Sequence, residues 1–240
     1  MVQRLAKFIA RTGVCSRRQA EEYILQERVT VNGQMIATPA FNVSGDETIL
    51  LDGEKLPQIE QTKLFLYHKP VGLITTHKDE KGRVTVFDSL PKDLPRLISV
   101  GRLDLNSEGL LLLTNNGELA RELELPKNAW SRRYRVRVHG KVDEAKLHGL
   151  EEGVMIDGVS YGKVSISVDQ KNGTNAWLTV CLNEGKNREI RKLMKFAGLE
   201  VARLIRVSYG PFQLGNLKKG EIRQIPQKVL KEQLGGRFEI

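Results

Sequence analysis

Hydrophobic positions change their spacing along this 240-residue chain. Near the start they recur every three or four residues: Leu5, Phe8 and Ile9 share one face of a helix that Gly13 is placed to end, and Ala20, Tyr23 and Ile24 share one face of a second. The second helix is expected to start at Ser16. Its "SRRQ" has the capping-box form, in which the Ser16 hydroxyl accepts from the Gln19 backbone while the Gln19 side chain reaches back. Val29 and Val31 then alternate into Asn32-Gly33, a hairpin signal. Residues 1–56 therefore read as a compact module of two helices and a hairpin.

A polar stretch without periodicity, 57–62, reads as a linker. Beyond it the two-residue period of strands dominates in "LFLYHKP", "RLISVGRLD", "YRVRVHG", "KVSISVD" and "AWLTVCL", while "GELARELEL", "DEAKLHGLEEG" and "NREIRKLMKFAG" keep a helical period. Strands outnumber helices and do not alternate with them regularly. That order predicts an α+β domain over 63–240 with a mixed or largely antiparallel sheet.

Charge changes the picture more than bulk composition does. Thirty-eight Lys and Arg against 29 Asp and Glu give +9, which makes a polyanion the first partner to consider. Cys15 and Cys181 stand far apart, without Cys or His at metal-ligand spacing, and fit a reducing cytoplasm better than a disulfide or zinc framework. The aliphatic run Leu110–Leu113 is too short to span a bilayer, so no membrane partner is expected. His68, His77, His139 and His148 form no paired arrangement. "NEGKNRE" lacks the glycine pattern and Ser/Thr of a phosphate-binding loop, and neither GxSxG nor GxGxxG occurs. Metal hydrolysis, nucleotide hydrolysis, serine hydrolysis and hydride transfer thus lose their sequence support.

The positive charge is clustered. Arg4, Lys7, Arg11, Arg17 and Arg18 fall on or beside the first two helices, and Arg17 and Arg18 occupy the first turn of the second, where the helix dipole favours anions and a phosphate would be welcome. In "KNAWSRRYRVRVHGK" strand alternation sends Arg133, Arg135 and Arg137 one way and Tyr134, Val136 and Val138 the other. Tyr134 is then either a core tyrosine or a wall against which a base stacks. In "EGKNREIRKLMKFAG" the apolar row Ile190, Leu193, Met194 and Ala197 is flanked by a cationic row of Arg188, Arg191, Lys192 and Lys195. Each cluster is compatible with a solvated face as well as with RNA.

One acid stands apart. Asp104 lies between Leu103 and Leu105 in "SVGRLDLNSEGLLLLT". It reads either as a turn-capping residue or as an ionised acid in an apolar setting, which would need a cationic partner.

"VGRLDLNSEGLLLLTNNGELA" resembles the signature of the pseudouridine synthases, and "SRRQAEEYILQERVTVNG" resembles the S4-type RNA-binding domain that precedes the catalytic domain in the ribosomal-RNA group. "YHKPVGLITT", "KGRVTVFDSLP", "RRYRVRVHG" and "EGKNREIRKLM" follow in the family's order, with Val84, Ser107 and Asn116 as small departures. The resemblance implies an S4-like domain at 1–56 and a synthase domain at 63–240. It also implies that Asp104 is the nucleophile, Tyr134 the stacking ring and Arg191 the arginine that pairs with the aspartate. Arg17, Arg18, Lys69, Arg102, Arg133, Arg135, Arg137, Arg188 and Lys192 are the expected RNA contacts, Lys69 and Arg102 at the pocket rim.

The expected substrate is ribosomal RNA, leaning to the large subunit, alone or in a pre-ribosomal particle. The expected enzyme is a cytoplasmic monomer without metal or small-molecule cofactor. The alternative from another class is a non-catalytic RNA-binding or ribosome-assembly factor on the same scaffold.

Overall fold

The computed structural model describes residues 2–234; positions 235–240 of the predicted second domain lie outside the described residues. Helices α1 (Leu5–Arg11) and α2 (Arg17–Leu25) pack on a four-stranded sheet that contains the Val29–Val31 and Gln34–Met35 hairpin. The capping box forms as the sequence predicts. Ser16 Oγ accepts from the Gln19 amide at 3.2 Å, and Gln19 Oε1 accepts from the Ser16 amide at 3.0 Å. At the hairpin tip Asn32 and Gly33 adopt φ of 50° and 82°, the left-handed pair that a two-residue turn requires.

The rest of the chain builds a nine-stranded sheet with helices on its two faces. Seven strands form its continuous path: β1 (Leu64–Lys69), β2 (Glu108–Thr114), β3 (Arg132–His139), β4 (Val164–Asn172), β5 (Asn175–Leu182), β6 (Glu200–Tyr209) and β7 (Ile222–Gln224). In space their order is β4-β5-β3-β6-β2-β1-β7. Strands Ile98–Val100 and Phe212–Gln213 attach beside β2 and β6. Within this sheet only β6 and β2 pair in parallel, which gives the mixed α+β architecture. Strand β6 was not singled out by the hydrophobic pattern, because "EVARLIRVSY" interleaves charged and apolar residues without a clean period.

The run Leu110–Leu113 divides the core between the two faces. Leu110 and Leu112 pack with Leu119 and Leu123 of α3 (Gly117–Glu124) and Leu230 of α6 (Gln227–Leu234). Leu111 and Leu113 belong to the opposite cluster, with Tyr67, Tyr134, Val136 and Leu178, with Leu147 and Leu150 of α4 (Glu144–Glu151), and with Leu193 and Met194 of α5 (Glu189–Phe196). All four leucines are fully buried, which at about 1.5–3 kcal/mol each makes β2 the centre of the domain's apolar stabilisation.

The amino-terminal helices also touch the large domain. Arg11 donates to the Asn115 carbonyl at 3.1 Å and to Thr62 Oγ1 at 2.9 Å, and Lys7 pairs with Glu118 of α3. Two cations that the sequence places with a possible RNA face therefore hold the domains together. Asn116 completes the joint: its Oδ1 caps α3 by accepting from the Glu118 amide at 2.9 Å, and its Nδ2 donates to Thr62 at 2.8 Å. An aspartate there could cap but not donate.

Candidate active site

Asp104 sits in the loop that joins the Ile98–Val100 strand to β2. The turn is closed by its backbone, since the Ser107 amide donates to the Asp104 carbonyl at 3.0 Å, so the carboxylate is not spent on capping. Below the loop, at the end of β1, the wholly buried Lys69 donates from Nζ to the carbonyls of Pro70, Asp104 and Ser107 at 3.0, 3.1 and 2.9 Å. Burial pushes this ammonium down to about 8, against the opposing pull of Asp104 and Glu108. Lys69 was expected at the pocket rim. It lies instead beneath the loop and fixes it, because its ammonium is wholly buried and its donors are spent on three backbone carbonyls.

Asp104 lines a cavity of about 800 Å³, together with Arg102, Tyr134 of β3, Leu204 and Arg206 of β6, and segment 182–190. That is room for a nucleoside and its phosphates. Tyr134 is nearly buried and belongs to the same apolar cluster as Leu182, Ile190 and Leu204, so its ring forms part of the cavity wall.

The cation nearest the carboxylate is Arg188, whose Nη1 stands 3.6 Å from Asp104 Oδ2. Arg188 is the N-cap of α5 and holds a left-handed backbone with φ of 52°, a conformation that costs a non-glycine residue energy and needs support. Glu189 supplies it. Its Oε2 accepts from the Lys186 amide at 2.9 Å, bracing the turn that presents Arg188. Burial raises the Glu189 carboxyl to about 7, and the neighbouring Glu184 adds to the rise.

Arg191, the expected partner of the aspartate, is placed differently. It lies three residues further along α5 and donates to the carbonyls of Asn106 at 2.8 Å and Val201 at 3.1 Å. Burial lowers its guanidinium from the ordinary value and Arg188 adds to this, while the charge of Asp104 acts in the opposite sense. Arg191 thus anchors the loop behind Asp104, and Arg188 makes the close contact.

The other expected contacts separate. Arg102 and Arg188 line the cavity. Lys192 lies 6.0 Å from the Tyr161 ring, on the flank of α5 away from the cavity lining. Arg133, Arg135 and Arg137 are exposed on the opposite face of the sheet from Tyr134, since alternation along β3 allows nothing else. They cannot reach a nucleotide bound beside Asp104. Arg17 and Arg18 project from α2, with Arg17 paired to Glu21 at 3.2 Å.

Arg206 and Glu189 are two of the cavity residues that escaped the sequence reading. Arg206 is 3% exposed; its Nε donates to the Leu110 carbonyl at 2.7 Å, and its buried Nη2 has no protein partner. It stands opposite Tyr134 across the β3–β6 ladder. Pairing β6 with β3 would have revealed it, but that pairing is not local. Glu189 was hidden by its cationic neighbours. Among the described residues no three His, Cys, Asp or Glu side chains converge as a metal site would require.

Known proteins align with this arrangement. Residues 63–196 match the RNA pseudouridylate synthase family and residues 3–49 the S4 domain. An RNA pseudouridine synthase of Rickettsia felis is 50% identical, over 96% of this chain and all of the relative. The ribosomal large subunit pseudouridine synthase B of Escherichia coli O157:H7 is 41% identical, over 89% of this chain and 76% of the relative. A crystal structure of a pseudouridylate synthase superposes with a TM-score of 0.67 at 27% identity, covering 96% of this chain and 99% of the other. With an S4 domain in front and an acid-bearing cavity behind it, the chain belongs to the RNA pseudouridylate synthase family, enzymes that isomerise uridine to pseudouridine.

Proposed function

We propose that the substrate is a uridine of large-subunit ribosomal RNA and that Asp104 is the nucleophile. The carrying observation is the Asp104 carboxylate in a nucleoside-sized cavity, 3.6 Å from Arg188 and beside the Tyr134 wall. The similarity to ribosomal large subunit pseudouridine synthase B supports the choice of RNA.

Isomerisation breaks the bond from C1′ to N1, forms one from C1′ to C5 and moves a proton from C5 to N1. Atoms balance within one nucleotide, so no small-molecule cofactor is required. A carboxylate can hold the separated fragments either by attacking the sugar or by adding to the ring, and in both cases it must be anionic and fixed. Arg188 faces the carboxylate at 3.6 Å, while Lys69 and Arg191 hold the loop that carries it. The uridine has to leave its helix to arrive there. Extrusion costs a few kcal/mol, which stacking on Tyr134 at roughly 1–3 kcal/mol and phosphate contacts from Arg102 help offset.

In this reading the S4 domain, through Arg17 and Arg18, docks on a second part of the ribosomal RNA or of a pre-ribosomal particle. The tether between the domains raises the effective concentration of each for its own site. The enzyme works as a monomer in the cytoplasm.

Mapping pseudouridines across the ribosomal RNAs of a deletion strain tests the proposal. Loss at one large-subunit site or a small set, restored by the wild-type chain and not by Asp104→Asn, is expected. An unchanged ribosomal map with loss in transfer RNA would overturn the substrate, and restoration by Asp104→Asn would overturn the nucleophile.

A further inference from the structure

The arginines of β3 that point away from Tyr134 form a surface of their own. Arg133, Arg135 and Arg137 lie at alternate positions of one strand, all exposed, and neighbours in such a row stand about 7 Å apart. Arg203 of β6 pairs across the ladder with Arg137, and Lys219 joins Arg203 at the buried Glu108, its Nζ 2.7 Å from the carboxylate. On the other side, Trp177 of β5 stands opposite Arg137, and the Arg135 guanidinium lies 4.8 Å from its ring.

The acids there leave positive charge in excess. Asp169 approaches Arg135 only to 4.0 Å, Glu108 is already engaged by two cations, and Glu200 sits at the ladder's end opposite His139. Helices α3 and α6 cover the neighbouring part of this sheet face through Leu110 and Leu112, but their cluster stops short of β3.

We propose that this open face, the reverse of the catalytic cavity, binds the phosphate backbone of an RNA segment distinct from the one that delivers the uridine. Regularly spaced guanidiniums can engage successive phosphates of one strand, and a partly exposed indole beside them offers a stacking surface. Charge favours a nucleic acid over a protein: a row of three arginines flanked by Arg203 and Lys219, with too few acids to neutralise it, is the footprint of a site for a polyanion. The inference rests on the RNA reading above and extends it: the RNA would contact both faces of the sheet, with the S4 domain as a third contact.

The test compares the wild type with Arg133→Gln/Arg135→Gln/Arg137→Gln on two probes: protein-free large-subunit ribosomal RNA made in vitro, and a short stem-loop carrying the modified uridine. Circular dichroism and thermal melting confirm that the triple variant folds. For the long RNA, affinity is expected to fall at least about tenfold and the slope of log K against log salt to shrink by about 2–3, the value for three lost phosphate contacts. For the stem-loop, affinity and single-turnover rate should stay within about twofold, because these residues lie outside the cavity.

Equal affinity and salt slope for the long RNA would overturn the inference. So would a defect seen only with protein-containing particles, which would assign the face to a protein. Failure of the wild type to modify either RNA would count against the substrate proposal, and the binding slopes would still decide this one.

Discussion

The two faces of the large sheet both carry arginines, and they treat them in opposite ways. On the cavity face Arg206 is almost wholly buried, Arg191 donates to two backbone carbonyls, and Arg188 is held on a left-handed backbone braced by Glu189. On the reverse face Arg133, Arg135 and Arg137 are exposed, Arg133 donating to Gln213 at 3.0 Å and Arg135 lying 4.8 Å from the Trp177 ring. The buried guanidiniums are tied to the backbone, Arg206 through Leu110 and Arg191 through Asn106 and Val201, so their positions are fixed by the fold. An exposed one keeps its hydration and can exchange such surface partners for a phosphate. Fixed cations can therefore hold a single carboxylate in place, while exposed ones suit the repetitive charge of a nucleic acid backbone.

The contrast can be broken most severely at Gly109. It has φ of +106° and pairs with Arg206 where β2 and β6 run parallel; an added Cβ would lie 2.7 Å from the Arg206 amide nitrogen and closer still to its carbonyl oxygen. Gly109→Val is expected to cost about 3 kcal/mol or more in urea unfolding and to abolish turnover. A loss under about 1 kcal/mol would show that the crossing is not required.

Next in size is Lys69→Met, which leaves the Pro70, Asp104 and Ser107 carbonyls without their donor. Turnover should fall about 100-fold or more with RNA affinity within about threefold, because the variant moves the acid and leaves the phosphate contacts in place. Equal losses in rate and affinity would make Lys69 a general structural residue.

Arg188 and Arg191 separate contact from anchoring. Both Arg188→Gln and Arg191→Gln should slow single turnover about 10–100-fold. Only Arg191→Gln should also lower stability, by about 1–3 kcal/mol, since it strands the Asn106 and Val201 carbonyls. A reversed pattern in thermal melts would exchange their roles.

The smallest expected effect is a change in pH dependence. The Glu189 carboxyl is raised to about 7 in the folded protein, chiefly by burial, so between its unfolded value near 4.5 and 7 the folded state keeps a proton that the unfolded state has lost. Stability must then fall as pH rises through that window and level off above it. Glu189→Gln, whose amide oxygen can still accept from Lys186, should flatten this part of the profile in unfolding measured from pH 4 to 8. A wild-type curve already flat there would contradict the burial argument.

Local chemistry was readable in the chain and non-local chemistry was not. The Ser16 capping box and the Asn32-Gly33 turn are written in four and two residues, and both form as read. The acid-bearing loop was legible through the resemblance of its motif to the family signature, since an aspartate between leucines alone left a turn cap equally open. Alternation along β3 correctly set Tyr134 against its flanking arginines, yet it could not say which face holds the cavity. That is decided by α5, packed more than fifty residues later in the sequence. For the same reason Arg188 rather than Arg191 was hidden as the close partner: helical spacing places both on one side of α5, and only the left-handed cap aims the first at Asp104. Lys69 and Arg206 were opaque because burial of a cation is a property of the assembled core.

The proposed nucleophile is the Asp104 carboxylate. Single-turnover tritium release from ribosomal RNA labelled at uridine C5 tests that role directly, with RNA affinity determined alongside. For Asp104→Asn the rate is predicted to fall by about 10⁴-fold or more while affinity stays within about threefold, since the amide keeps the shape and loses the nucleophile. A variant that releases tritium within about tenfold of the wild-type rate would contradict the account.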